Sequence, residues 1–184
     1  MSTQLIGRTL ARSQALQLLF QAEANGRTVE EVLADEYALS DGPLDPYAEQ
    51  LALGADAIRH DLDLVISTRS AAWSVSRMPA VDRNLLRLAL YEMLEMEDVA
   101  VPVTIDESVK LAKIYGTDES YRFVNGLLGR VSSDIDAGVD VIMKARAAAY
   151  GHEADDEPVP VPEPEPVAEP ESGSESAVDQ AVGE

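Results

Sequence analysis

The stretch MPAVDRNLLRLALYEMLEMED, residues 78–98, decides the fold of this 184-residue chain. Pro79 marks the start of a helix, because the fixed φ of proline suits a first helical turn. The apolar residues that follow recur at helical spacing on more than one side: Val81, Leu85, Leu88, Ala89 and Leu94. A helix that is apolar on several sides must be covered on several sides. We therefore expect a central helix around which the other elements pack.

Helical signals continue toward the N-terminus. A first helix is predicted from about Thr9 to Ala24, with Asn25-Gly26 as its stop signal. Its inward stripe consists of Ala11, Ala15, Leu18, Leu19 and Ala22. Thr28 and Glu31 then have the spacing of a capping box, in which each side chain binds the other residue's backbone amide. This pattern predicts the start of a second helix.

The region before the central helix carries a second kind of start signal. Asp45-Pro46 reads as a cap followed by proline at the first helical position. Residues 46–70 then carry apolar side chains at helical spacing. They form either one helix or two helices that meet near Gly54.

Two further helices are predicted after the central one. Thr104 and Glu107 have capping-box spacing and would start a helix that ends near Gly116. The last helix would run from about Thr117 to Ala149, unless the sequence SSDIDAG, residues 132–138, breaks it. Because residues 8–150 contain no long alternation of polar and apolar residues, we predict an all-α domain.

The decapeptide YRFVNGLLGR, residues 121–130, places weak helix formers inside the last helix. Gly126 and Gly129 each cost up to about 1 kcal/mol relative to alanine. Two interpretations account for them: close approach of a neighbouring helix, or room for a ligand beside Phe123. Composition favours the packing interpretation.

The charge of the chain is unevenly distributed. The formal net charge is −20, and residues 151–184 hold 11 acidic and no basic side chains. Residues 1–150 have 14 basic and 23 acidic side chains, a net charge of −9. Arg8 and Arg12 are the only charged side chains before Glu23, so the N-terminal end is a small positive region.

The C-terminal segment differs in composition from the rest of the chain. Residues 152–184 contain six of the ten prolines and no aromatic residue. Such a segment buries too little apolar surface to offset its ordering entropy. We therefore divide the chain into a helical domain, residues 1–150, and a disordered acidic tail, residues 151–184.

Several classes of function find no support in the sequence. No apolar run approaches the length needed to cross a bilayer, and no secretion signal is recognisable, so a cytoplasmic location is expected. Cysteine is absent, and His60 and His152 are the only histidines. A metal site or a nucleophile–histidine pair cannot be assembled from these residues. We expect a protein that is not an enzyme and needs no cofactor.

Three aromatic residues stand out at helix surfaces or ends. Phe20 points away from the stripe of the first helix, Tyr115 ends a helix, and Phe123 lies beside the bare glycine flank. Packing against neighbouring elements is one explanation for each ring. The other is stacking of unpaired RNA bases, with cations binding phosphates. The accompanying cations are Arg8, Arg12, Lys113, Arg122 and Arg130. Few cations on an acidic domain predict weak, salt-sensitive binding and a basic partner.

Residues 85–131, LLRLALYEMLEMEDVAVPVTIDESVKLAKIYGTDESYRFVNGLLGRV, resemble the NusB transcription antitermination factor family. The shared features are the LR-ALYE helix, the proline-preceded helix with LAK-YG, and FVNG-L. Residues 11–23, ARSQALQLLFQAE, resemble the first helix of the family more weakly.

This resemblance implies a bundle of about seven helices in two three-helix subdomains. It also implies binding of the boxA element in ribosomal RNA leaders together with NusE, a small-subunit ribosomal protein. The pair would act in the antitermination complex of RNA polymerase. By motif position, the implied RNA contacts fall on Arg8, Arg12, Phe20, Tyr115, Glu119 and Phe123, and more weakly on Asp82.

One departure from the family concerns the N-terminus. The sequence GRTLAR has Thr9 and Leu10 between its two arginines, where many members have consecutive basic residues. Lower intrinsic RNA affinity and greater dependence on the partner are expected. The alternative function is a helical protein–protein adaptor or a homodimer in which the RNA-binding face is buried.

Overall fold

The computed structural model describes residues 5–70 and 73–151. Within these ranges all regular secondary structure is helical, which confirms the all-α prediction. The helices are α1 (Gly7–Asn25), α2 (Val29–Leu33), α3 (Pro46–Ala57), α4 (Arg59–Arg69), α5 (Ala80–Glu95), α6 (Val101–Tyr115), α7 (Ser120–Asp136) and α8 (Val141–Tyr150), with a short 3₁₀ turn at Val75–Arg77. The proposed tail lies outside the described residues, except for Gly151.

Helix α5 is the centre of the bundle, as the sequence predicts. Its side chains Leu85, Leu86 and Leu90 are almost completely buried. Helices α1, α2 and α3 pack on one another, and α1 and α3 also pack on α5. Helices α4, α6 and α7 contact α5 as well, and α8 packs against α4 and α7. Helix α5 therefore packs against both groups of helices: α1 and α3 in the first, and α4, α6 and α7 in the second.

The N-terminal helices follow their sequence signals. All five residues of the predicted α1 stripe are buried. Gly26 ends α1 with a φ of 62°, a left-handed conformation that glycine adopts without strain. The Thr28 and Glu31 capping box is present in both directions. Asp45 caps α3 through the backbone amide of Tyr47.

The break in residues 46–70 lies at Ile58, not at Gly54. Gly54 is inside α3, where the ring of Tyr91 from α5 rests on its backbone. A Cβ at Gly54 would clash with that ring, so this glycine permits the close packing of α3 on α5. The prediction of two helices is confirmed, but the predicted junction near Gly54 is wrong, because this glycine serves helix packing instead of a break.

The predicted capping box at Thr104 and Glu107 is wrong. Helix α6 begins at Val101, with proline in its first turn, so both residues lie inside the helix. The Thr104 hydroxyl donates to the buried Glu92 carboxylate, and Glu107 accepts a hydrogen bond from Thr9. Both side chains therefore bind residues of other helices instead of capping their own.

The predicted last helix is two helices. Helix α7 ends at Asp136, and Gly138 has a φ of 72°, which stops the helix. Asp140 then caps α8 by accepting a hydrogen bond from the Met143 amide. In the described part of the chain, no helix is both long and apolar enough to span a membrane.

Candidate nucleic-acid interface

Phe20 and Tyr115 line the same surface hollow, although 95 residues separate them in sequence. The Phe20 side chain is 44% exposed and projects from α1, while Tyr115 comes from the C-terminal end of α6. The hollow has a volume of about 340 Å³, and its other walls are Leu16, Gln17, Gln21, Ala38 and Val81. Its mainly apolar lining suits the face of a flat ring.

Hydrogen bonds hold the rim of this hollow in place. The hydroxyl groups of Tyr115 and Ser13 are 2.7 Å apart, which fixes the tyrosine against α1. Gln21 bonds to both backbone groups of Ala38, at 2.8 and 3.1 Å. Gln17 accepts from the Ser40 amide at 2.8 Å. Neither glutamine was predicted as a site residue, and their spacing of four residues on α1 is the only sequence signal for them.

Phe123 forms a second aromatic site with Trp73. The two ring centroids are 6.5 Å apart, and the ring planes are inclined by 35°. The indole of Trp73 remains 51% exposed, whereas Phe123 is half-buried. Trp73 lies in the connection between α4 and α5 and was not predicted as a site residue. Nothing in the sequence periodicity points to it, because it lies outside any helix.

The start of α5 lies between the two aromatic sites. Val81 lines the hollow, and the next residue, Asp82, approaches the Ser120 hydroxyl in the first turn of α7. Phe123 follows one helical turn later. Asp82 is only 4% exposed, which contradicts its prediction as an RNA contact. Burial raises the pKa of the Asp82 carboxyl, and the Ser120 hydroxyl opposes this shift.

The predicted surface position of Arg12 is also wrong. Its side chain is 5% exposed, and its Nε donates to both carboxylate oxygens of Glu92, at 2.9 and 3.1 Å. A second carboxylate, Glu107, lies 3.7 Å from its Nη1. The position of Arg12 on α1 did not predict its burial, because the acidic partners come from α5 and α6. Arg12 holds the bundle together and is not free to bind phosphate.

Arg8 is exposed, as predicted. Its guanidinium pairs with Asp98 at 2.7 Å and lies 4.7 Å from the ring centroid of Tyr47. The hydrogen bond that Arg8 donates to Asp98 raises the pKa of Arg8 further above its already high value. This cation is accessible to a ligand, but a carboxylate already neutralises part of its charge.

Lys113 and Arg122 both lie near the ring of Tyr121, which was not predicted as a site residue. The Lys113 ammonium and the Arg122 guanidinium lie 5.2 and 5.3 Å from the ring centroid of Tyr121. Arg122 also pairs with the exposed Glu119 at 2.7 Å. Glu119, Arg122 and Lys113 therefore form one exposed charged group at the ends of α6 and α7.

The glycine flank of α7 faces open space. A Cβ at Gly126 or Gly129 would meet no atom of the described residues within 4 Å. The interpretation that composition favoured, a neighbouring helix packed against these glycines, is therefore wrong. The remaining interpretation is room beside Phe123.

The fold and the surface together define a class of protein. It is a helical domain whose surface carries an aromatic hollow, a second aromatic pair, and cations of which some are paired with carboxylates. The chain belongs to the NusB family, whose family model matches residues 9–133. This finding confirms the resemblance seen in the sequence.

Curated relatives agree with the family assignment. A transcription antitermination protein NusB from Desulfitobacterium hafniense is 42% identical over 135 residues, covering 71% of this chain and 90% of the relative. A protein of the same name from Acidothermus cellulolyticus is 43% identical over 127 residues, covering 69% of this chain and 88% of the relative.

Solved structures show the same fold. NusB from T. maritima has a TM-score of 0.61 and 35% identity, covering 71% of this chain and 94% of that one. A chain in a crystal structure of antitermination factors NusB and NusE in complex with dsRNA has a TM-score of 0.56 and 25% identity. That match covers 67% of this chain and 94% of the other.

Proposed function

We propose that this protein is a transcription antitermination factor that binds boxA-type single-stranded RNA in ribosomal RNA leaders together with NusE. It acts in the cytoplasm as part of the antitermination complex and helps RNA polymerase pass terminators. It does so by binding alone and catalyses no reaction. Family membership and the names of its relatives support this proposal.

The observation that carries the proposal is the shared hollow of Phe20 and Tyr115. Two rings from separate helices converge on one open, apolar site outside the core. Unpaired bases stack on such rings, whatever their identity, because every base has a π face. Phe123 supplies a third ring, which the start of α5 separates from the hollow. The surface can therefore hold more than one nucleotide.

The charges on this surface explain why a partner is needed. Arg8 and Arg122 could bind phosphates, but each is paired with a carboxylate, Asp98 and Glu119 respectively. Lys113 makes no ion pair within the described residues. Arg12 is buried and leaves the phosphate-binding set. A domain with so few free cations binds RNA weakly by itself, and a basic partner such as NusE would supply the missing charge.

The test is RNA binding with and without the partner. Fluorescence anisotropy of labelled boxA RNA is measured with the full chain, with NusE alone and with both proteins, at two salt concentrations. We expect at least tenfold tighter binding for the mixture than for either protein alone. An RNA of the same length with a scrambled sequence is the control, and a duplex is the competitor. Equal affinity with and without NusE would contradict the partner-dependent mechanism.

A second candidate is a homodimer that buries the same surface. The observation in its favour is the exposure of Phe20 beside an apolar hollow, since apolar patches on monomers often mark protein interfaces. Sedimentation at micromolar concentration tests it. A monomer would refute the homodimer, and a dimer that dissociates on adding RNA would show that both ligands use one face.

A further inference from the structure

Arg69, the last residue of α4, and Trp73, in the connection that follows, each contact α7. The Trp73 ring contacts Phe123, and the Nη1 of Arg130 donates to the Arg69 carbonyl at 2.7 Å. Phe123 and Arg130 are seven residues apart, so they lie two turns apart on the same face of α7. Gly126 lies between them on this face. These contacts place an exposed indole, a bare stretch of helix and a guanidinium side by side.

We propose that Trp73, Gly126 and Arg130 form a second nucleotide position, separate from the Phe20–Tyr115 hollow. A base stacks on the exposed face of the Trp73 indole, and Arg130 binds an adjacent phosphate. The sugar–phosphate backbone passes over α7 at Gly126. The inference rests on the proposed RNA-binding function and extends it to Trp73, which was not predicted as a site residue.

The indole is suited to this role by its exposure and its support. Trp73 is 51% exposed, so a large part of its surface is open to solvent. Phe123 packs against the ring at a separation typical of aromatic pairs. A ring that is supported on one side loses little freedom when a base stacks on the other. Trp73 is therefore an exposed ring with a second ring packed against it.

Arg130 has donors to spare. Its hydrogen bond to the Arg69 carbonyl uses one proton and anchors the guanidinium beside the end of α4. Among the described residues no carboxylate pairs with it, unlike Arg8 and Arg122. The guanidinium group has five N–H donors, so four remain for phosphate oxygens. It is thus an exposed cation whose charge is not already neutralised by a described acid.

A ligand that passes over Gly126 would explain why α7 contains a weak helix former at this place. Glycine lowers the stability of a helix interior, and no described residue occupies the space that its missing side chain leaves. A ligand backbone passing close to the helix would use that space. Gly129 is a matched control, because a Cβ there would likewise meet no described residue within 4 Å but would lie roughly 120° around the helix from Phe123.

Trp73 makes the experiment direct, because it is the only tryptophan in the chain. The full chain with NusE is titrated with boxA RNA, and two signals are followed: the anisotropy of a label on the RNA and tryptophan emission. Emission from the same mixture containing Trp73→Phe is subtracted. We expect Trp73 emission to fall as RNA is added and to level off at the RNA concentration at which the anisotropy of the label begins to fall from the bound toward the free value.

Variants test the other two parts of the position. Gly126→Leu should weaken RNA binding by at least about tenfold and abolish the quenching, as expected for loss of a stacked base. Gly129→Leu should leave both signals unchanged. Arg130→Gln should weaken binding and reduce the salt dependence by about one phosphate contact. Thermal melting establishes that each variant is folded. Trp73→Ala removes the proposed stacking ring itself and is an independent test of the same position.

The outcomes separate this inference from the proposed function. If anisotropy shows tight binding while Trp73 emission is unchanged and Gly126→Leu binds normally, the second position is refuted and the antitermination function stands. If the anisotropy stays at the value of free RNA at every RNA concentration, both are refuted. Equal weakening by Gly126→Leu and Gly129→Leu would also overturn the inference, because the effect would not be specific to this face.

Discussion

The Arg12 guanidinium binds the Glu92 carboxylate, although 80 residues separate the two in sequence. Glu92 also accepts hydrogen bonds from Tyr47 and Thr104. This one buried carboxylate therefore connects α1, α3, α5 and α6. Burial and the hydrogen bond to Glu92 raise the pKa of Tyr47, so its hydroxyl keeps its proton and remains a donor.

Arg12→Gln should destabilise the folded domain by about 3–5 kcal/mol, because it leaves Glu92 buried without its cation. Chemical denaturation followed by circular dichroism measures the change. Arg8→Gln is the control, since Arg8 is exposed and its loss should hardly move the melting temperature. An Arg12→Gln protein with unchanged stability and impaired RNA binding would instead show that Arg12 contacts RNA.

Phe20→Ala should weaken RNA binding by about 1–3 kcal/mol if a base stacks in the hollow. Tyr115→Phe keeps the ring and loses the hydrogen bond to Ser13. It should cost about 1 kcal/mol of stability and leave RNA affinity nearly unchanged. Anisotropy titrations and thermal melts of both variants test these expectations. A Phe20→Ala protein that binds RNA normally but melts earlier would favour a packing role for the ring.

Glu119→Gln should strengthen RNA binding by about two- to fivefold. The change releases Arg122 from its exposed ion pair and removes a negative charge next to this proposed phosphate-binding residue. The gain should shrink at high salt, where the pair is screened. Glu30→Gln, an exposed acid in α2, is the control for net charge alone. An equal gain from both variants would show that the effect is not local.

Gly54→Ala should destabilise the domain by about 1–3 kcal/mol, because the added Cβ would clash with the Tyr91 ring. Gly129→Ala makes the same chemical change where nothing in the described residues lies within 4 Å, and it should stabilise by up to about 1 kcal/mol. Denaturant midpoints of the two variants should therefore move in opposite directions. Two shifts of the same sign would contradict the packing of α3 on α5.

Acid should unfold the domain partly through Glu23. Burial by itself would raise the pKa of this carboxyl, but hydrogen bonds from Arg83 and Asn84 and the charge of Arg87 lower it. A lowered folded-state pKa means that the carboxylate stabilises the fold above its unfolded pKa of about 4.5. The stabilisation is lost as the pH falls through the lower, folded value.

Glu23→Gln should therefore reduce stability at neutral pH by about 1–3 kcal/mol. Below pH 4 the difference in stability between Glu23→Gln and the unmodified protein should become smaller. Thermal melts from pH 3 to pH 7 measure this convergence. A constant difference over that range would show that the charge of Glu23 is not the cause.

Helix boundaries in this protein depend mostly on local chemistry, which is why the sequence predicts many of them. The Thr28–Glu31 capping box, the Asp45 cap and the Gly26 stop all involve groups within four residues of each other. The same reasoning failed at Thr104 and Glu107, where partners on α1 and α5 compete for the side chains. A local pattern is reliable only when no distant group offers a better partner.

The sequence by itself determined that the chain is helical, that α5 is central and that Phe20 points away from the buried stripe of α1, because periodicity and end signals act over one or two turns. Only the tertiary structure decided which charged residues are free. Arg8 and Arg12 look alike in sequence, yet one is exposed and the other is enclosed by Glu92 and Glu107. The position of Trp73 beside Phe123 was likewise settled by packing, since it requires two segments about 50 residues apart to meet.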